Sequence, residues 1–217
     1  MWARSFATAS AAALTVGVLA GCVLGGVTGS GAVTSETRDV GTFDRIEVSG
    51  GIGVTVHIGP TQPLQLETHE NLHSVIATDV AGGVLKIHGR SSYLAHPAPH
   101  VTVTVSALNG VSASGGSQVT ADGLAADTLS IDLSGGASIT ATGTADVVAI
   151  DGSGGSRANL FGLAASSVVL DLSGGSAADV QATADVTGSA SGGSRATVRG
   201  GAAVRVSASG GGEVVSQ

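Results

Sequence analysis

The side chain best suited to covalent chemistry is the thiol of Cys22, the only cysteine in the 217-residue chain. Arg4 precedes a weakly apolar run over residues 6–19, and the run closes with small residues directly before the cysteine. A short charged start, an apolar stretch and a small-residue end are typical of a secretory signal peptide. We therefore predict that residues 1–21 are a signal peptide that is absent from the mature protein.

The end of the apolar run reads Leu19-Ala20-Gly21-Cys22, which resembles the lipobox of bacterial lipoproteins. In that family the cysteine thiol is acylated and the cysteine becomes the new amino terminus. The resemblance implies lipidation of Cys22 and an exported, extracytoplasmic protein. Several acyl chains, at about 0.8 kcal/mol per buried methylene, would hold it on the cell membrane. The alternatives are an uncleaved signal anchor over residues 6–27 and a cysteine placed there by chance.

Gly, Ser, Thr and Val predominate over residues 23–35, where no side chain is charged. This composition is typical of a flexible linker, so we predict a flexible tether over residues 22–37. The remaining length suits a single domain over residues 38–217.

Three aspartates could bring carboxylates together, since each stands two positions before the serine of a recurring Ser-Gly-Gly sequence. If the repeats stack, Asp132, Asp151 and Asp171 form an outward row with about 5 Å between neighbours, and like charges so placed repel. A hard cation such as Ca²⁺ would relieve the repulsion. However, the calcium-binding solenoid pattern places its aspartate after the glycines. We therefore predict a solvated acidic stripe and no metal site, with a cation row as the alternative.

Other constellations of reactive residues are weak. The six histidines all fall within residues 57–100, and His69 and His73 have the spacing of a helical metal pair, but no third ligand is evident. Neither G-x-S-x-G nor H-E-x-x-H occurs. Glycan-cleaving β-helices need paired carboxylates and aromatic platforms, whereas the predicted mature chain has only Phe43, Tyr93 and Phe161 as aromatic residues. We predict a protein that is not an enzyme and needs no cofactor.

The elements that must position these residues are set by an internal repeat. Ser-Gly-Gly recurs every 18–20 residues, and apolar residues alternate with polar ones before and after each copy. One coil is then a strand, a Ser-Gly-Gly corner, a second strand and a second turn such as residues 142–144. Identical side-chain roles at fixed spacing favour coils stacked about 4.8 Å apart. The predicted fold class is all-β, a parallel β-solenoid of about 18–20-residue coils.

The glycine pairs of the repeat are predicted to be structural corners rather than a ligand site. A sharp corner needs positive φ, which glycine adopts at no steric cost, and the preceding serine can bond to local backbone. A phosphate-binding loop would need a following helix and usually a lysine, and neither is present. The predicted corner residues are Gly115, Gly116, Gly135, Gly136, Gly154, Gly155, Gly174, Gly175, Gly192, Gly193, Gly210 and Gly211.

Residues 38–106 depart from this period and are predicted to form an irregular N-terminal β section that begins or caps the stack. Its strands are expected near residues 46–48, 53–58, 64–68, 84–88 and 101–105. No cap is evident after the last repeat, so an open edge near residues 204–215 is expected to be available for self-association.

The charge pattern argues against a nucleic-acid partner. The formal net charge is −7, Lys86 is the only lysine, and the arginines form no basic stripe.

Three stretches and the tail of Ser-Gly coils resemble the bacterial head-GIN domain family, described as a putative auto-transporter adhesin head of unknown function. The stretches are "FDRIEVSGGIGVTVHIG" (43–59), "HENLHSVIATDVAGGVLKIHG" (69–89) and "HVTVTVSALNGVSASGGSQV" (100–119). The resemblance covers residues 38–217 and implies an all-β, solenoid-like domain on exported envelope proteins. It brings no catalytic residues.

We therefore expect a lipid-anchored, non-enzymatic cell-envelope module for surface adhesion or interaction, with an unknown envelope protein or glycan as partner. The alternative is a carbohydrate- or peptidoglycan-binding β-helix, which includes a degenerate glycan-active one. A cleft near Tyr93 that gathers Asp, Glu or His would favour the alternative, whereas a smooth prism would favour the interaction module.

Overall fold

The computed structural model describes residues 26–217, so the predicted signal peptide and Cys22 lie outside the described residues. Within residues 26–217 the regular structure is β-strand apart from one short 3-10 helix at Glu70–Leu72. The strands are β1 (Val27–Thr28), β2 (Val33–Arg38), β3 (Arg45–Val48), β4 (Gly53–Ile58), β5 (Gln62–His69), β6 (Ile76–Ala81), β7 (Val84–Gly89), β8 (Tyr93–Leu94), β9 (His100–Val105), β10 (Gly110–Ala113), β11 (Gln118–Leu133), β12 (Ser138–Gly152), β13 (Arg157–Leu172), β14 (Ala177–Ala190), β15 (Arg195–Arg199), β16 (Ala203–Ala208) and β17 (Glu213–Ser216).

Strands β11 to β14 are long because each runs through the second turn of its coil and contributes to two sides of the molecule. On one side, β7, β3, β10, the second halves of β11 to β14, and β16 pair in parallel. On the other side, β9, β4, the first halves of β11 to β14, β15 and β17 do the same. The predicted parallel β-solenoid is confirmed. At about 4.8 Å per strand the stack is roughly 40 Å long.

We name the two sides by their outward side chains. The aspartate face carries Asp132, Asp151 and Asp171, which pair directly in register. The threonine face carries a row that pairs strand by strand and consists of Thr102, Thr55, Thr120, Thr140, Asn159, Asp179 and Thr197.

The core lies between the two faces and is filled by alternate residues of every coil. On the threonine side, large and small residues exchange places from coil to coil: Ile139 and Ala141 are followed by Ala158 and Leu160, all buried. On the aspartate side, Gly152 leaves space for a neighbour, because a Cβ there would lie 2.9 Å from Cδ2 of Leu172. A thin core is thus packed without large side chains in every layer.

In five of the six Ser-Gly-Gly corners, the serine carbonyl oxygen accepts a hydrogen bond from the N–H three residues later, at 2.8–3.4 Å. The first glycine of all six repeats has positive φ, between 56° and 70°. The second glycine of Gly154-Gly155 and of Gly174-Gly175 does not, although the sequence argument expected it of both. Each corner also lies directly on the one before it: a Cβ at Gly174 would be 2.8 Å from the carbonyl oxygen of Gly154.

Substitution of Gly174 by Val is expected to destabilise the domain by more than about 2 kcal/mol, because the new side chain combines positive φ with a backbone clash. The matched control is Gly155→Ala, since a Cβ there meets nothing within 4 Å and φ lies outside the left-handed region. Thermal unfolding followed by circular dichroism measures both variants. Equal melting temperatures would contradict this account of the corner.

A second serine, three residues after the corner serine, points into the core. Ser176 Oγ donates to the carbonyl oxygen of Ser173 at 2.9 Å or of Gly152 at 3.1 Å. Ser156 is equally buried, but its Oγ has no partner, and Ala137 occupies the same position one coil earlier. The predicted backbone bonding by a corner serine is seen at Ser191, whose Oγ donates to the carbonyl oxygen of Leu172 at 3.4 Å. The second serine column was not predicted, and its signal in the sequence is the recurrence Ser-Gly-Gly-Ser. The buried members are Ser117, Ser156, Ser176 and Ser194.

Alanine at Ser176 is expected to cost about 1 kcal/mol, because a buried side-chain hydrogen bond is lost. Alanine at Ser156 is expected to be neutral or stabilising, since it removes a buried hydroxyl without a partner. Urea unfolding of the two single variants under identical conditions compares them. A greater loss from Ser156→Ala than from Ser176→Ala would contradict the assignment.

Antiparallel strands close the N-terminal end of the stack. Strand β5 pairs with β9 and with β2, and β6 pairs with β7. The predicted N-terminal β section is therefore present, and it starts earlier than predicted. Residues 33–38 form β2, so the flexible tether predicted over residues 22–37 is wrong for this part: β2 satisfies the otherwise open edge of β5.

The Arg38 side chain fastens this end. Its guanidinium donates to the carbonyl oxygens of His73 at 2.6 Å and Ile76 at 2.7 Å, and to the Glu36 carboxylate at 2.8 Å. The hydrogen bond from Arg38 holds the pKa of Glu36 below its usual value. At the other end, β16 and β17 have a paired neighbour on one side only within the described part of the chain.

Candidate interaction surfaces

The aspartate face brings its three predicted carboxylates into one row. Asp132 pairs with Asp151, and Asp151 with Asp171, across parallel strands. The row ends in serines, and Ser189 Oγ donates to Asp171 Oδ1 at 2.8 Å. Beside the row lies a shallow depression of about 200 Å³ that contains the half-exposed side chain of Val169. This face is acidic with an apolar margin.

The surroundings of Asp132 change the ionisation of its carboxyl group. Partial burial, and secondly the charge of Asp151, raise the pKa of Asp132 above its ordinary value. A carboxyl whose pKa is higher in the folded than in the unfolded state opposes folding once it is ionised. The destabilisation is absent below the unfolded pKa and fully present above the folded pKa.

Replacement of Asp132 by Asn is expected to stabilise the domain at pH 7, because it removes a carboxylate whose ionisation opposes folding. The gain should be only about a few tenths of a kcal/mol, because solvent and salt screen this exposed side chain. The gain should shrink in high salt and vanish near pH 3. Asp179→Asn on the threonine face is the control, because its neighbours in register are Asn159 and Thr197. Thermal unfolding at the two pH values measures the difference, and a lower melting temperature for Asp132→Asn at pH 7 would contradict it.

No group of three or more histidine, cysteine, aspartate or glutamate side chains within residues 26–217 is arranged to hold a metal ion. His69 and His73 flank the 3-10 helix rather than share one helical face. Nε2 of His69 lies 3.0 Å from the carbonyl oxygen of His96, and Nε2 of His73 lies 2.9 Å from Thr34 Oγ1. Their imidazoles therefore serve separate hydrogen bonds.

A second depression is an open cleft of about 530 Å³, which we call the Asp44–Asp127 cleft. It lies where the chain before β3 and the chain before β10 meet the middle of β11. Asn109 Nδ2 donates to Asp44 Oδ2 at 3.0 Å, and Arg45 Nε lies 3.7 Å from Asp44 Oδ1. This cleft could not be predicted from the sequence, because its residues are far apart in the chain and do not belong to the repeat. It can offer hydrogen bonds, and Asp44 is already engaged.

The depression beside Tyr93 bears on whether the protein is an interaction module or a glycan-active protein. It is lined by Ser49, Gly50, Gly89, Ser91, Ser92 and Tyr93, without an acidic residue or histidine. Tyr93 Oη donates to the carbonyl oxygen of Gly50 at 2.6 Å, and burial raises its pKa. The glycan-active alternative predicts a cleft with Asp, Glu or His here, and this depression has none of them.

The stacked parallel strands and their outward rows of polar side chains place the chain in the class of parallel β-solenoid domains. Within that class, the chain belongs to the family described as "Putative auto-transporter adhesin, head GIN domain", whose model matches residues 42–217. The resemblance to the head-GIN domain family that residues 43–119 and the Ser-Gly coils carry is confirmed. An adhesin family indicates a surface-exposed, extracytoplasmic protein.

Solved structures of low sequence identity share the fold. A putative adhesin from Bacteroides fragilis NCTC 9343 is 19% identical with a TM-score of 0.71, and the match covers 88% of this chain and 100% of that one. One from Parabacteroides merdae ATCC 43184 is 19% identical with a TM-score of 0.58, covering 88% and 98%. One from Parabacteroides distasonis ATCC 8503 is 20% identical with a TM-score of 0.55, covering 89% and 100%.

A comparison with curated proteins finds no match. Among residues 26–217, no helix has the length and hydropathy needed to cross a bilayer.

Proposed function

We propose that this protein is a lipid-anchored surface module that acts by contact and performs no reaction of its own. The observation that carries the proposal is the pair of continuous outer faces, on which side chains stand in register from coil to coil. Such faces offer an extended area for a partner. An active centre would instead need several groups to converge on one reacting atom.

Acylation of Cys22 supplies the membrane attachment in this proposal. The sequence Leu-Ala-Gly-Cys supports it, and the adhesin family is consistent with a location on the cell surface. A domain roughly 40 Å long, once anchored, presents its faces close to the membrane rather than far from it. Contact with a neighbouring envelope component suits this reach.

The test is Cys22→Ala in the full chain made in a bacterial host. Wild type is expected to lose residues 1–21, to gain the mass of acyl chains and to sediment with membranes. Cys22→Ala should lack the acyl mass and leave the membrane fraction, whereas Ser207→Ala should behave as wild type. Intact mass spectrometry and membrane fractionation give both readouts. An unacylated wild type, or membrane binding that survives Cys22→Ala, would overturn the lipid anchor.

The Asp44–Asp127 cleft favours a second candidate function, the binding of a glycan. Carboxylate, amide, guanidinium and hydroxyl groups line it together, and these can donate to and accept from sugar hydroxyls. A glycan array probed with the acylated chain in detergent separates the two functions. Binding that Asp127→Asn abolishes and Asp179→Asn leaves intact would select the glycan-binding function, and an array without signal would reject it.

A further inference from the structure

The first described residues do not hang free but lie along the N-terminal end of the solenoid. We call Gly26–Ala32 the N-terminal strap. Strand β1 within it pairs in parallel with β8. The N–H of Val27 donates to the carbonyl oxygen of Ser92 at 2.9 Å, and that of Gly29 donates to the carbonyl oxygen of Leu94 at 2.7 Å.

Side chains of the domain clamp the strap from the other side. The Asn71 amide uses both of its ends: Oδ1 accepts from the N–H of Ser30 at 2.8 Å, and Nδ2 donates to the carbonyl oxygen of Thr28 at 2.8 Å. The His69 ring lies so close that a Cβ at Gly29 would come within 2.5 Å of its Cδ2. The strap backbone is therefore seated directly on the domain.

This seating limits the distance between the domain and its lipid anchor. From Cys22 to Gly26 the chain spans at most about 14 Å even when fully extended. A flexible tether over residues 22–37 would have had a root-mean-square length of about 22 Å and would have left the orientation free. With the strap seated, the acyl chains lie next to the N-terminal end of the solenoid.

Leu94 stands at the place where the strap meets the domain. It pairs with Thr28 of the strap, and its exposure of 70% exceeds that of every other large apolar side chain described. A single exposed leucine is ordinary on a protein surface. Its position beside the chain that leads to the anchor is what matters, because the interface of a bilayer accepts an apolar side chain there.

We propose that the N-terminal strap fixes the orientation of the domain on the membrane that holds its acyl chains. Leu94 enters the bilayer interface, and the C-terminal coil formed by β16 and β17 lies farthest from it. This inference rests on the proposed lipid anchor at Cys22. Its partner surface is the lipid bilayer itself.

The test uses the full acylated chain in phosphatidylcholine vesicles, with a fluorescent label at one new cysteine. Acylation consumes the thiol of Cys22, so Leu94→Cys and Ser207→Cys each give one labelled position. Nitroxide lipids that quench near the headgroups are expected to quench the label at position 94 several-fold more than the label at position 207. Equal quenching in vesicle-bound protein, or greater quenching at position 207, would overturn the orientation while the anchor stands.

Two changes complete the test: one lengthens the chain before the strap, and the other removes the Asn71 hydrogen bonds to the strap. A Gly-Ser insertion after Gly25, or Asn71→Ala, should lower quenching at position 94 toward the value at position 207 without release from the vesicles. Gln62→Ala, at an exposed glutamine at the start of β5 and away from the strap, should leave quenching unchanged. Quenching that neither change lowers would show that the strap does not set the orientation. Wild type that fails to bind vesicles would overturn the lipid anchor, and this inference with it.

Discussion

Each coil of this protein is held by the parallel hydrogen bonds that it makes to the coil before it, and these bonds set the spacing of everything else. At about 4.8 Å per layer, the backbone at a corner lies directly on the backbone of the previous corner. No Cβ fits at Gly174, where the Gly154 carbonyl is the neighbour, so glycine at the first corner position is a condition of stacking. Because a single coil buries little surface of its own, stability must be shared along the stack between adjacent layers.

The same constraint explains why the core contains so few large side chains. Layers 4.8 Å apart leave each inward position little room, and a large residue in one row is balanced by a small one in the other, as with Ile139 and Ala141 followed by Ala158 and Leu160. Gly152 beside Leu172 is the limiting case, because the Leu172 side chain fills the space that a side chain at position 152 would need. The few aromatic residues lie outside this pattern: Phe161 is only partly buried and carries the Arg199 guanidinium over its ring at 3.9 Å.

Repetition is what made the fold predictable from the sequence. The row of Asp132, Asp151 and Asp171 and the corners follow from spacing alone, because parallel pairing in register converts equal positions in the repeat into neighbours. Features that do not repeat gave no such signal. The residues of the Asp44–Asp127 cleft come from separate turns of the chain. Residues 33–37 have the composition of a linker, and their pairing with β5 is made by the backbone, which composition does not reveal. The buried serines were not predicted because serine is usually exposed. Ser176 can be buried because its hydroxyl donates a hydrogen bond to the carbonyl oxygen of Gly152, which offsets the cost of removing it from water.

Inward and outward positions of each coil are under different constraints, and this difference connects the architecture to its proposed role. Glycines at the corners and apolar residues inside are fixed by the stack, whereas most outward residues are at least partly exposed to water. Asn159 and Asp179 interrupt the threonine row, and each still pairs in register with its neighbours in that row. The outer faces are therefore free to take the chemistry that a partner demands. The N-terminal end is different: its antiparallel strands and seated strap satisfy the open edge with backbone bonds, so this end is committed to closing the stack, and recognition is left to the faces that extend away from it.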